Sequence, residues 1–200
     1  ILFAAFNVLL FKYTGQQDII VGIPVTGRSN IDTYDLIGMF VNSLPIRTRP
    51  CGHLYFLDYL NEVKNIVLNG IRNQDYQYDM IVEELKIAND RSRNPLFDVM
   101  FAYHNMEIPD MVFEGIEIKQ CEFGNKGSKF DLSLSAIKKG KELIFEFEYD
   151  TDLFINETIK RMIGHYLNIL KEITCNPAKP ISEIEILGAE EKNNIVFNFN

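Results

Sequence analysis

Residues 89–105 read "NDRSRNPLFDVMFAYHN". The first half is a run of turn formers that carries two arginines, and Pro95 biases Asn94 towards extended geometry. From Phe97 onward, Phe97, Val99, Phe101 and Tyr103 alternate with Asp98, Met100, Ala102 and His104. That period of two marks a strand with one buried face. The residues before the turn, Tyr78 to Ile87, read as a short helix, so the stretch holds a helix exit, a fixed turn and a strand entry.

The same succession continues on both sides. The apolar opening, residues 1–11, reads as a helix that Gly15 terminates as a C′ glycine. "DIIVGIPVTGR" (residues 18–28) is a β-branched run broken by Gly22 and Pro24, which predicts a buried strand leading into a loop at Gly27. "MFVNSLPIRTRP" (residues 39–50) predicts a second strand, placed at an edge or a bulge by Pro45. Between Leu54 and Ile71, the residues Leu57, Leu60, Val63, Val67 and Ile71 recur at helical steps between polar neighbours. "KFDLSLSAI" and "ELIFEFEYD" alternate on either side of "KKGK", a hairpin pattern. A long helix is predicted over 156–174, and the residues after Pro177 are expected to form an exit strand or tail. Helices and strands interleave, so the expected fold class is α/β, a mixed sheet with helices packed on one face.

Composition narrows the function. The chain has 200 residues, 46% of them hydrophobic and 12% aromatic, enough for a compact core of one domain or two small lobes. A net charge of −8, with no basic face apparent in the sequence, argues against nucleic acid. The longest apolar run covers residues 1–11, whereas a bilayer crossing needs about 20; it lacks a basic leader, so neither a membrane span nor a signal peptide is expected. Cys51, Cys121 and Cys175 are widely spaced without metal-ligand neighbours, which reads as buried free thiols in a reducing cytoplasm and no metal site. The chain opens at Ile1 already inside a helical pattern, as a segment of a longer polypeptide would.

Candidates for chemistry are few. His53, His104 and His165 stand far apart, each among structural neighbours, and a general base needs a geometric partner that the sequence does not advertise. No nucleophile elbow, phosphate loop or zinc-helix motif occurs. Asp131, Ser133 and Ser135 share one face of a strand, either as a solvated stripe or as the polar wall of a substrate channel. Arg91 and Arg93 either pair with Glu83, Glu84 or Asp90, or use the guanidinium fork on a carboxylate or phosphate.

Three segments together become recognisable. "IGMFVNSLPIR" (residues 37–47), "NQDYQYD" (residues 73–79) and "NDRSRNPL" (residues 89–96) resemble, in order and at the expected separation, the last three signature motifs of condensation domains in nonribosomal peptide synthetases. Their matching positions include Gly38, Phe40, Val41, Gln74, Asp75 and Pro95, and the resemblance runs over essentially the whole chain. Phe40, Val41 and Asn42 set it apart from the related epimerization domains. Gln77, Tyr78 and Asp79 stand where the family usually has Pro-Phe-Glu, which puts the local geometry there in question.

The resemblance implies a lobe similar to chloramphenicol acetyltransferase, one of two that face each other across a tunnel. Residues 1–187 would be the C-terminal lobe and 188–200 an exit segment towards a following domain. Catalysis in the family is attributed to a His-His-x-x-x-Asp-Gly motif in the first half, and no two histidines here are adjacent. The expectation is therefore no catalytic residue within these 200 and no activity of the fragment alone. Asn42, Arg91, Arg93 and Asn94 are expected at or near the lobe interface, with Asp131 and Ser133 as tunnel candidates. The implied partners are the N-terminal lobe, carrier proteins and an adjacent adenylation domain. Phosphopantetheine would be presented by the carriers, with no cofactor bound directly. A non-catalytic docking module and a related thioester-dependent acyltransferase are the alternatives. A lobe built to face a partner should expose an apolar patch of several hundred Å², and so might be able to dimerise through it.

Overall fold

The computed structural model describes residues 1–87, 93–105 and 127–198. Helix α1 (Leu2–Thr14) is buried along its whole first two turns, from Phe3 to Leu10, because it lies between the sheet and the other long helices. It ends where Gly15 adopts φ 69° and its N–H returns to the Phe11 carbonyl. Strand β1 (Ile19–Val25) follows, then a loop, β2 (Asn42–Thr48), α2 (Phe56–Arg72) and α3 (Tyr78–Glu84). Strands β3 (Val99–His104), β4 (Leu132–Lys139) and β5 (Glu142–Tyr149) lead to α4 (Asn156–Cys175) and a short α5 (Ala189–Asn193).

The strands form one sheet in the order β2-β1-β3-β4-β5. The pairs β1–β3 and β3–β4 are parallel, while β1–β2 and β4–β5 are antiparallel, so each edge strand is folded back against a parallel centre. Pro45 sits on the edge strand β2, where a missing N–H costs no ladder bond on the outer side. The β4–β5 hairpin closes through Gly140 and Lys141, with Lys139 opposite Glu142 and Gly140 at φ 60°, the conformation that a two-residue turn demands.

One core unites α1, α2 and α4 with Val21, Leu44, Ile46, Phe101, Leu132, Leu134 and Ala136 of the sheet. At its centre Phe6 meets Tyr166 edge-on at 6.3 Å, and Phe145 meets Tyr166 at 5.3 Å. Its buried polar groups are paired where α1 crosses β2: Asn7 donates to the Phe3 carbonyl, and the Thr48 hydroxyl donates to Asn7 Oδ1 at 2.9 Å. Phe101 and Ala102 are both buried although they face opposite ways, because β3 is a central strand.

Several boundaries differ from the sequence expectation. Helix α3 stops at Glu84 rather than Ile87, since Lys86 takes a left-handed φ of 51° that ends the helical path. Strand β2 begins only at Asn42, leaving Met39, Phe40 and Val41 in the preceding loop. The residues after Pro177 are not a free tail: Ile181 and Ile184 are buried, and the Ile181 N–H donates to the Leu54 carbonyl. The thiols are also misjudged, since Cys51 is half-buried and Cys175 exposed, while Cys121 lies outside the described residues.

Gly22 is required by packing rather than by backbone torsion. A Cβ there would lie 2.1 Å from Cε2 of Phe97. Gly22→Ala should therefore cost about 1–3 kcal/mol by overpacking. Adding Phe97→Leu to that variant should recover part of the loss, read as the shift in the urea midpoint.

Candidate functional site

The motif residues gather at two ends of the sheet. At the end where β1 finishes and β2 begins, Asn42 is buried and its side-chain amide is fully engaged. Nδ2 donates to the Gln74 carbonyl at 2.8 Å and the Tyr76 carbonyl at 2.9 Å, while Oδ1 accepts from the Ser43 and Tyr78 backbone N–H groups. One amide thus joins the start of β2, the turn after α2 and the first residue of α3. Gln74 is half-buried and Asp75 exposed. Gln77, in the position of the family's proline, holds φ −68° and ψ 145°, the value of φ that a proline ring imposes. The replacement therefore leaves the backbone path into α3 in place, and Tyr78 packs edge-on against Phe97 at 5.5 Å.

Gly38, Phe40 and Val41 belong to the β1–β2 loop. Phe40 is half-buried, Val41 is exposed, and Ile37 and Met39 are almost wholly exposed.

At the opposite end, the turn before β3 supplies Arg93, Asn94 and Pro95. Arg93 does not pair with Glu83 or Glu84: its Nη1 lies 3.8 Å from Asp98 Oδ2. Chain direction explains this, because Pro95 sends the turn into β3 and carries Arg93 back over the strand's first residues. Asn94 Nδ2 donates to the Lys129 carbonyl at 3.4 Å, which ties the turn to the segment entering β4. Arg91 and Asp90 lie outside the described residues.

Asp98 stands in register with Asp131 and Asp150 at the mouths of β3, β4 and β5: the Leu132 N–H donates to the Asp98 carbonyl and the Asp150 N–H to that of Asp131. Asp98 Oδ1 is buried without a partner among the described residues. Burial first, then the neighbouring Asp98 and Asp150 charges, raise the Asp131 carboxyl above its ordinary value, with Arg93 opposing them. The row continues up the same face of the sheet, where Ser133 is opposite Glu148 and Ser135 opposite Glu146. The serines are half-buried and the glutamates exposed, on the side turned away from α1 and α4. Sequence alternation found Asp131 and Ser133 but missed Asp98, Glu146 and Glu148, which only strand order brings beside them.

A cleft of about 300 Å³ opens between the end of α1 and the starts of β1 and β3, lined in part by Leu10, Ile20, Leu96, Phe97 and Asp98. It is remote from Asn42. His165 is buried with Nδ1 at 2.7 Å from the Tyr13 hydroxyl and Nε2 at 2.8 Å from Glu191, a structural setting. Among the described residues no cluster suited to a metal ion occurs, and no helix is long and apolar enough to cross a membrane.

An α/β lobe of this topology with these motif positions is that of the acetyltransferase-like condensation fold. The Condensation domain family model matches residues 1–196, and the chain belongs to that family. It is 44% identical over 200 residues to bacitracin synthase 3 of Bacillus licheniformis and 46% identical over 200 to gramicidin S synthase 2 of Aneurinibacillus migulanus. Each match covers 100% of this chain but only 3% and 4% of those synthetases. Among solved structures, a four-domain holo nonribosomal peptide synthetase bound to AMP and glycine superposes with a TM-score of 0.85 at 19% identity, covering 96% of this chain and 16% of that one. The condensation domain of the monacolin K polyketide synthase gives 0.77 at 22%, covering 90% and 42%.

Two outcomes follow. Asn42→Ala would leave two carbonyls and two N–H groups without their partner and should destabilise the chain by on the order of 3 kcal/mol. Asn42→Asp should be at least as harmful, because a carboxylate would face the Gln74 and Tyr76 carbonyls. Asp131→Asn should do the opposite. A carboxyl with a raised folded pKa favours folding when protonated, and that contribution is lost as pH rises through the folded value. The amide should thus raise the melting temperature above the carboxylate range, with no gain in acid. Solvent screening should limit the gain to less than about 1 kcal/mol.

Proposed function

We propose that residues 1–187 form the C-terminal lobe of a condensation domain that makes peptide bonds between carrier-bound thioesters, with 188–200 leading towards a following domain. In that reaction the amine of an aminoacyl thioester attacks the carbonyl carbon of an acyl thioester. The carbon–sulfur bond breaks, the nitrogen gives up a proton, and the donor carrier's phosphopantetheine leaves as a thiol. What carries the reading is the free Ser133–Ser135 face of the sheet beside a loop that holds Ile37 and Met39 out of the fold. A lobe with one face sealed by α1, α2 and α4 and the other left polar is suited to line a channel.

This chain's contribution is to position rather than to transfer protons. Alignment of two tethered reactants supplies much of the rate in such reactions. General acid–base help, typically about a hundred- to ten-thousand-fold, would have to come from the paired-histidine motif of the other lobe. Asn42 would act indirectly, by fixing the β2 and α3 ends at the lobe boundary, and Arg93 and Asn94 by bracing the β3–β4 mouth. Carrier proteins and an adenylation domain are the expected partners, with phosphopantetheine arriving only on the carriers. The absence of adjacent histidines in these 200 residues also favours a docking role for the chain when it is alone.

The experiment is to co-produce the chain with the preceding half of its condensation domain and follow dipeptidyl-carrier formation by intact-protein mass spectrometry. Product should form with both halves and not with either one. Failure of the halves to associate, or turnover by this chain alone, would overturn the assignment.

A further inference from the structure

The connection from β1 to β2, residues 26–41, is a shaped arm. Gly27 takes φ 60°, and a Cβ on it would lie 1.8 Å from the Phe40 carbonyl oxygen, so the two limbs of the arm touch at a point that only glycine permits. The next residue, Arg28, lays its guanidinium over the Phe40 ring at 4.2 Å and donates from Nη2 to the Leu36 carbonyl at 2.9 Å. Asn30 caps the turn over Ile31–Thr33 by accepting the Asp32 N–H. Held this way, the arm presents Ile31, Tyr34, Leu36, Ile37, Met39 and Val41 outward.

We propose that Arg28 is the staple that preshapes this arm for docking against the rest of the condensation domain, and that its Nη1 takes an oxygen acceptor from that partner. The proposal rests on the two-lobe reading and names the segment and the residue through which the lobes meet. Nη1 is buried and has no acceptor among the described residues. A desolvated cationic donor without an acceptor is costly, and a carbonyl or carboxylate of a covering surface would remove that cost. Arginine suits both tasks because its plane stacks on an aromatic ring while its fork keeps separate donors for two acceptors. The cluster of outward apolar residues on one loop is of the kind that marks a protein interface. The occupant is argued from length: this chain covers 42% of the matched monacolin K and rhizomide condensation-domain chains, so more than half of each lies beyond the matched segment.

Hydrogen–deuterium exchange on the arm amides, with and without the co-produced preceding half, tests this. In the wild type, exchange over 29–41 should slow at least tenfold when the halves associate. Arg28→Ala should speed arm exchange at least tenfold in the chain alone while β1 and β2 stay protected, and Arg28→Lys should recover only part. Ile37→Asp with Met39→Asp alters almost wholly exposed residues, so the chain should melt as before, yet association should weaken at least tenfold. Unchanged arm exchange in Arg28→Ala, or undiminished association of the double variant, would overturn the proposal. So would arm protection that grows with the concentration of the chain alone, which would make a second copy the occupant. If the arm becomes protected but no dipeptide forms, the catalytic reading fails and the docking element stands. If dipeptide forms with the arm unprotected, the reverse holds.

Discussion

The amide of Asn42 is the constraint on which the working end of this lobe depends. Three backbone segments arrive there without a shared ladder: the first residue of an edge strand, the turn that leaves α2, and the residue that opens α3. Each brings a donor or an acceptor that secondary structure leaves unpaired, and a single planar side chain with two donors and a two-lone-pair oxygen meets all four. A leucine of similar volume would fill the space and orphan every one of them. The motif residue therefore serves the fold first. Its value at a lobe boundary comes from making that corner rigid, so that what lies on either side of it keeps a defined place.

Rigidity at Asn42 matters because the arm enters the sheet there. Its far limb ends at Val41, one residue before the amide, and its near limb leaves β1 opposite, with Val25 paired to Asn42. Both ends are thus fixed across a single rung, which lowers the entropy of everything between them. Arg28, Gly27 and Asn30 then remove most of the remaining freedom. Ordering an exposed apolar loop in advance has an unfavourable cost in the free chain, and it is offset only when a partner covers the surface without having to order it again.

How much of this was legible depended on whether the information was periodic. Alternation placed β3, β4 and β5, and Gly140 placed their hairpin, because a strand face and a two-residue turn write themselves locally. The burial of α1 on all sides was equally open, its run from Phe3 to Leu10 having little polar side to expose. The arm was not: Arg28 and Phe40 are twelve positions apart, and neither residue type signals a cation–π contact in advance. The alignment of Asp98, Asp131 and Asp150 was hidden for a related reason, since each is an ordinary strand-end aspartate until strand order sets them side by side. Pro45 correctly indicated an edge. Nothing local indicated that Ile181 and Ile184 return to the core, or that Lys86 ends α3 early. Both outcomes are decided by what the chain packs against.

The sign of the charge on the polar face bears on the chemistry assigned to this lobe. Asp131, Asp150, Glu146 and Glu148 share the side of the sheet that carries Ser133 and Ser135, and of the described arginines Arg93 is the one that opposes the charge on Asp131. A wall of carboxylates attracts an ammonium group and repels a phosphodiester. Under the proposed reaction it would draw the acceptor's amine inward while leaving the carrier's phosphate outside. The same field stabilises the ammonium over the free amine and so works against nucleophilicity. A lobe of this charge can gather and orient the acceptor, but it cannot also be the place where the amine loses its proton. That step requires a base on the opposing surface, which agrees with a division of labour in which this half holds the substrate and the half bearing the paired histidines activates it.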